Sequence, residues 1–394
     1  MRKTLAWFSF SLSLAIGLPN LPALASNPLQ EIYPVKGSAT CCQPNSLGFD
    51  EQLWGKIDQS GDKEALLASI DNSLRYMQTP EAIATYQQYP VPGINHNRVL
   101  RSLVRFKELV QIAKSPKELQ AAVQQEFAFY QSVGKDDRGT VFFTAYYEPI
   151  YAASRVPTSE YRYPLYRQPP DFNNWPKPHP SREQLEGKDG LLGAKSPLHG
   201  LELVWLRDRL EAFLVQIQGS AQLTLTDGTK TTVGYIGGTD YPYTSVGKEL
   251  AKDGKLKLDG LTLPVLIDYF TKNPAELSNY VPRNQRFVFF QETNGAPAMG
   301  SINVPVTAER SIATDKSLMP PGALALIHTK VPFPTKDGQM VARTVSRYVL
   351  DQDTGSAIKT PGRVDYFMGT GKQAGDRAGV MGFNGQLYYL LLKQ

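Results

Sequence analysis

At Gly139 the chain changes character, and this change constrains its fold more than any other feature. Before it, apolar residues recur at helical spacing: Leu66, Leu67, Ile70, Leu74 and Met77, then Val99, Leu100, Leu103, Val104, Phe106, Leu109 and Val110. These stripes are core rather than cofactor boxes. Ser115 as N-cap, Pro116 at the first helical position and Glu118 three residues after the cap predict a further helix. After Gly139, Thr140–Tyr147 is β-branched and aromatic and predicts a strand ending at Glu148 and Pro149. Residues 153 to 196 are rich in proline and basic residues and are expected to be irregular. Residues 201–205, 212–218, 223–226 and 231–235 follow, with Asp227-Gly228 as a hairpin signal. Ser245–Leu250 and Pro264–Phe270 predict helices. A last β-rich part spans Arg286 to Lys393, with expected strands at 287–291, 324–328, 341–350, 363–367 and 386–392. The chain has 394 residues, beyond the size at which one core usually stops growing, so two domains are expected. With 20 Tyr, 17 Phe, 32 Gly and 29 Pro, it is suited to β-structure with many turns.

The formal charge of +5 is mildly basic and suits an anionic polymer as partner, but no clustered Lys/Arg footprint of a nucleic-acid binder exists. Residues 1–25 read as a secretory signal: Arg2 and Lys3, an apolar run from Leu5 to Leu18, and Ala23-Leu24-Ala25 before Ser26. A membrane anchor is the alternative, although the run is short and is followed by Pro19 and Pro22. Residues 26–50 read as a flexible leader. It holds the only cysteines, Cys41 and Cys42, whose adjacency disfavours a mutual disulfide.

No metal site is expected, because His96, His179, His199 and His328 are scattered. Gly369-Thr370-Gly371 lacks the lysine of a phosphate loop, and no Gly-x-Ser-x-Gly elbow occurs. Two aspartates, Asp353 and Asp365, stand in a glycine-containing run between 351 and 371. Asp353-Thr354-Gly355-Ser356 matches the aspartic protease signature, but such a protease needs a second copy to share a proton, and none exists. Asp351 and Gln352 are also polar where a buried protease strand would be apolar. Asp365 is flanked by apolar residues. In an extended segment it shares a face with Phe367, while Val364 and Tyr366 share the other. A buried carboxyl keeps its proton to higher pH and can act as a general acid. The residues alone leave open a second reading, in which Asp365 caps a turn or pairs with Arg363 or Lys359.

Blocks in order then carry a resemblance: Phe143–Pro149, Arg162–Tyr166, Gly200–Asp208, Ala212–Ser220, Leu225–Gly228, Gly300–Thr307, Arg310–Ala313, and 353–371 with Ala378 and Gly379. Over most of residues 140–394 the chain resembles the MltA-type lytic murein transglycosylases. Ser356 and Ala221 depart from the pattern, each adding a Cβ where glycine is usual. The lipid-anchoring cysteine of some members is absent, and 26–139 match weakly.

The resemblance implies a mainly β fold with N-terminal helices. A double-psi β-barrel (51–152 plus 284–394) would be interrupted by a β-rich inserted domain (153–283), with a glycan groove between them. It implies cleavage of the β-1,4 bond from N-acetylmuramic acid to N-acetylglucosamine in peptidoglycan, leaving a 1,6-anhydro end. Asp365 falls on the family's catalytic aspartate and Asp353 on its supporting one. Thr144, Gln218 and Ser220 lie in matched motifs suited to sugar hydroxyl or N-acetyl groups. Tyr146, Tyr147, Tyr235, Tyr241 and Tyr243 offer stacking faces, or are ordinary strand residues. Lys359 suits a substrate carboxylate, or an aspartate. No metal or organic cofactor is needed. The expected partner is peptidoglycan, met in the periplasm by a monomer, with membrane association left open. The competing readings are a non-catalytic peptidoglycan-binding barrel and a hydrolase or protease using Asp353.

Overall fold

A computed structural model describes residues 27–32, 46–55 and 61–394. The signal at 1–25 and both cysteines lie outside the described residues. Among the described residues, four α-helices follow a short first strand: α1 (Lys63–Met77), α2 (Pro80–Gln87), α3 (His96–Ile112) and α4 (Pro116–Glu126). Thr79, Asn95 and Ser115 cap α2, α3 and α4 through their side-chain oxygens, satisfying backbone N–H groups that a helix start leaves free. The apolar stripes of α1 and α3 face each other and the strands beyond, and Leu66, Ile70, Val99, Leu103 and Phe106 are fully buried.

Among the described residues the strands are fourteen: β1 (Leu29–Ile32), β2 (Phe127–Ser132), β3 (Val141–Glu148), β4 (Ile150–Ser154), β5 (Tyr163–Tyr166), β6 (Glu202–Leu206), β7 (Ser220–Leu225), β8 (Lys230–Gly238), β9 (Val288–Glu292), β10 (Ser311–Ala313), β11 (Leu324–Pro334), β12 (Met340–Asp353), β13 (Arg363–Thr370) and β14 (Gly382–Leu392). Six of them close into a barrel in the order β14-β11-β12-β10-β13-β3, with β3 returning to β14. The β3–β13 and β10–β12 pairs are parallel. β2 and β1 extend the sheet beyond β14. A second sheet runs β5-β6-β4-β7-β8-β9 and interrupts the barrel between β3 and β10. The chain crosses from one sheet to the other at a single residue, Pro149. Helices α5 (Arg182–Glu186), α6 (Arg209–Gln218), α7 (Val246–Lys252), α8 (Leu263–Lys272) and α9 (Leu277–Tyr280) accompany this sheet. The last helix, α10 (Lys372–Ala378), packs on β3 and β13. The architecture is thus mainly β with N-terminal helices, a barrel interrupted by a second β-rich unit.

Several expectations are corrected. The leader is not flexible throughout: Leu29–Ile32 pairs antiparallel with β2, and Leu29 is buried. Asp50, also assigned to the leader, lies in the core. Its carboxylate accepts from Arg310 at 2.6 Å, from the Tyr348 N–H at 3.0 Å and from Arg347 at 3.3 Å. The 287–291 strand joins the second sheet beside β8 rather than the closing β-rich part. Residues 212–218 are helical, because Asp208 caps a start that leads into them and Gly219 ends them in the left-handed region. Asp351 and Gln352 are polar yet fully buried. Asp351 accepts from the hydroxyls of Tyr389 and Thr314, and Gln352 exchanges bonds with Ser69, Ser73 and Ser311, so each polar group is satisfied.

Candidate active site

β13 alternates as its sequence suggests. Val364 and Tyr366 are fully buried, while Asp365 faces the other side and is half-buried. Its neighbours follow from strand register. Across β13, Asp365 stands opposite Thr144 of β3 on one side and Ala313 of β10 on the other, and Ala313 stands opposite Asp353 of β12. Thr144, Asp365, Ala313 and Asp353 therefore form one row across four strands, with the two carboxyl residues two strand spacings, about 10 Å, apart at Cα.

A bulge makes the row possible. Asp351 and Asp353 are two residues apart and would share a face in a regular strand. Ile312 pairs with Asp351, but Ala313 pairs with Asp353, so Gln352 is the extra residue. The bulge leaves Asp351 in the core and brings Asp353 to the face that holds Asp365.

Each carboxyl has its own donors. Thr144 Oγ1 donates to Asp365 Oδ1 at 2.7 Å. Asp353 Oδ2 accepts from the Tyr146 hydroxyl at 2.7 Å, and its Oδ1 accepts from the N–H groups of Thr354 at 2.8 Å and Ser301 at 3.0 Å. Ser301 is brought close by Gly300, where a Cβ would lie 2.3 Å from the Gln352 carbonyl oxygen. Burial raises the Asp365 pKa, opposed by the Thr144 hydroxyl and the charge of Arg363 and reinforced by Asp353. Burial also raises the Asp353 pKa, opposed by Tyr146, the two N–H groups and Lys316.

Two aromatic contacts flank Asp365 along the strands. The rings of Tyr146 and Phe367 lie 5.1 Å apart, and the Arg363 guanidinium lies 5.0 Å from the Phe142 ring centroid. Tyr243, from the segment after β8, is half-buried and electrostatically coupled to Asp365 and Arg363, so the second unit reaches the row. Gln218 ends α6, and its Oε1 accepts from the Tyr147 N–H at 3.0 Å, tying the second unit to β3. Ser220 opens β7, opposite Gly234.

Other assignments fare differently. Tyr147 offers no stacking face: it is buried, with its ring 2.7 Å from where a Cβ at Gly375 would lie. Lys359 is exposed, and its charge acts on Asp315 rather than on either aspartate of the row. Tyr235 is exposed and Tyr241 half-exposed. Of the two departures from the family pattern, Ala221 is packed in the core of the second sheet and Ser356 is exposed. Sequence reading missed Tyr146 as a partner of Asp353, the Ser301 N–H, and Arg363 as a neighbour that is not bonded to Asp365. Only the last had a signal, the two-residue spacing that gives it the same strand face. Concavities of about 570 Å³ (beside Glu183, Glu276 and Arg283) and about 400 Å³ (beside Arg167, Phe172 and Phe290) belong to the second unit and touch neither aspartate. The site is placed by its carboxyl chemistry.

Two family models match the chain: the MltA specific insert domain over residues 142–291 and the 3D domain over 310–391. Membrane-bound lytic murein transglycosylase A of Escherichia coli K12 is 30% identical over 263 residues, 66% of this chain and 68% of that protein. The Vibrio cholerae protein of the same name is 30% identical over 262 residues, again 66% and 68%. Among solved structures, the membrane-bound lytic murein transglycosylase from Agrobacterium tumefaciens superposes with a TM-score of 0.65 at 25% identity, covering 84% of this chain and 93% of that one. E. coli MltA with bound chitohexaose superposes at 0.69 and 24% identity, covering 94% and 96%, a likeness of fold.

Proposed function

Since the chain belongs to the membrane-bound lytic murein transglycosylase A family, we propose that it cleaves peptidoglycan without water, at the β-1,4 bond from N-acetylmuramic acid to N-acetylglucosamine. The carrying observation is the placement of Asp365: a half-buried carboxyl held by Thr144, in a row that ends on a second carboxyl. Protonated Asp365 donates to the glycosidic oxygen, and the C1–O bond breaks. The resulting carboxylate accepts the proton of the muramic acid C6 hydroxyl as that oxygen bonds to C1. Asp365 is thereby reset, and a 1,6-anhydro end forms. The nucleophile belongs to the substrate, so its effective concentration is high and a water-activating residue is unnecessary. Asp353 faces the same side with a negative charge that favours the positive, oxocarbenium-like ring.

Thr144 orients Asp365 and Tyr146 orients Asp353. Gln218, Ser220 and Tyr243 contribute from the second unit, and Lys359 meets a substrate carboxylate at the margin. The barrel domain, up to β3 and again from β10, and the inserted domain that carries β4 to β9 bound the glycan groove. The E. coli relative solved with chitohexaose supports a groove that accepts a polysaccharide. The protein acts as a monomer in the periplasm, consistent with relatives named membrane-bound. No helix among the described residues is long and apolar enough to cross a membrane.

The test is mass analysis of purified sacculi after digestion. Wild-type protein should release muropeptides one water lighter than hydrolytic products, and Asp365→Asn should release none while melting as wild type. Sacculus binding without soluble product from wild type would instead select the non-catalytic reading.

A further inference from the structure

Arg363 stands two residues before Asp365 on β13, so both side chains leave the same face of the strand. Directly opposite in β3 is Phe142, and the guanidinium rests 5.0 Å from its ring centroid. Arg363 is half-buried, and its Nη1 is buried without a hydrogen-bond partner. Asp365 takes its hydrogen bond from Thr144, not from this arginine. A cation held on an aromatic face beside a carboxyl, without bonding to it, acts on that carboxyl through its field.

The groups facing Asp365 come from four places. Arg363 shares its strand. Thr144 comes from β3. Asp353 comes from β12, itself held by Tyr146 and near Lys316. Tyr243 comes from the segment after β8. Burial and Asp353 favour the protonated acid, and Thr144 and Arg363 oppose them. Arg363 is the only full positive charge in that set acting on Asp365. Without it, a crowded carboxyl beside a second carboxyl would hold its proton too firmly to pass it to a glycosidic oxygen. With a direct ion pair it would lose the proton at too low a pH. Phe142 keeps the arginine between these extremes.

We propose that Arg363, seated on Phe142, sets the acidity of Asp365 and so the upper pH limit of turnover, acting through that carboxyl rather than on the sugar. The consequence for turnover rests on the transglycosylase reading; the effect on the carboxyl does not. Same-face residues on a strand are about 6.5 Å apart. At that distance and an effective dielectric constant of about 20, one charge moves a carboxyl by about one to two pH units.

The experiment uses the full chain with Arg363→Met, Arg363→Lys and Phe142→Leu. The Asp365 carboxyl is titrated by carbon NMR, and anhydro-muropeptide release from sacculi is followed against pH. Arg363→Met should raise both the Asp365 titration and the alkaline limit of activity by about one to two units, and cut the plateau rate about tenfold because the acid is weaker. Arg363→Lys should restore most of both. Phe142→Leu frees the guanidinium to close on Asp365 and should move the titration the opposite way, so it decides the matter alone if Arg363→Met fails to fold. An Asp365 titration unmoved by these changes overturns the inference. Products from wild type that carry an added water would instead sink the transglycosylase reading and leave the titration result standing.

Discussion

Replacing Tyr146 with phenylalanine isolates one hydrogen bond at the site. The ring keeps its contact with Phe367 at 5.1 Å, and only the hydroxyl that donates to Asp353 Oδ2 at 2.7 Å is lost. Asp353 Oδ1 retains the N–H groups of Thr354 and Ser301. A hydrogen bond to a charged group contributes about 1.5–3 kcal/mol, and one between neutral groups about 1 kcal/mol. The cost should therefore depend on whether Asp353 is ionised. Its folded-state pKa is raised by burial, so ionising it already lowers stability as pH rises from the ordinary carboxylate value through the folded one. Removing a donor that favours the charged form raises that pKa further and extends the window upward. Tyr146→Phe should thus cost about 2 kcal/mol at pH 8 and less, about 1 kcal/mol, at pH 4, because the raised pKa leaves more of Asp353 protonated there. Urea titrations at the two pH values measure this, provided the slope with denaturant is unchanged. Equal penalties at both pH values, or no penalty at pH 8, would refute the claim that this hydroxyl holds Asp353 as a carboxylate.

Two other substitutions probe the scaffold. Asp50→Asn should destabilise the protein by about 3–5 kcal/mol in chemical denaturation, because it removes the carboxylate shared by the fully buried guanidinium of Arg310 and by Arg347. Glu211 in α6 has a pKa pushed up to about 7 by burial and by Asp208, and its Oε2 is buried without a partner. Its charge lowers stability as pH rises from about 4.5 to 7, so Glu211→Gln should gain about 1–2 kcal/mol at pH 8 and nothing at pH 4, read from paired denaturant melts.

Features decided by a few neighbouring residues could be read from the chain alone. The start of α4 needs only Ser115 and Pro116, and the β7–β8 turn needs only Asp227 and Gly228, whose φ of +84° suits glycine. The two faces of β13 were readable because alternation is a local property, with Val364 and Tyr366 inward and Asp365 outward. Features decided by a distant partner were not readable. Leu29–Ile32 is too short to declare itself and exists because residues 129–132 offer an edge. The strand at 288–292 has the composition of a barrel strand, yet its register partners are 233–238. Asp351 and Gln352 argue against burial by residue type, and only tertiary donors such as Tyr389 and Ser69 make their burial affordable. The site divides the same way. Asp365 and Thr144 stood out as motif residues, but the pairing of Tyr146 with Asp353 needs the bulge at 352, which no spacing announces.

The row also decides how the two aspartates divide the chemistry. A pair that shares one proton must bring its oxygens to about 3 Å, as in aspartic proteases. Here β10 lies between them, with Ala313 as the intervening residue, and each carboxyl accepts from its own donors. They share no hydrogen bond and interact through the field. Burial favours protonating both, so the number of donors breaks the tie. Asp353 has three hydrogen-bond donors and the nearby charge of Lys316; Asp365 has one hydroxyl and the charge of Arg363. Donors to an anion stabilise the ionised form, so Asp353 is the better-held carboxylate and Asp365 the one left to carry a proton. Had the bulge been absent, Asp353 would share the core face with Asp351, and Asp365 would lack both the negative neighbour that helps it keep its proton and any second charge beside the sugar. Burial is the larger cause of the raised Asp365 pKa, and the extra residue in β12 adds the second carboxyl that reinforces it.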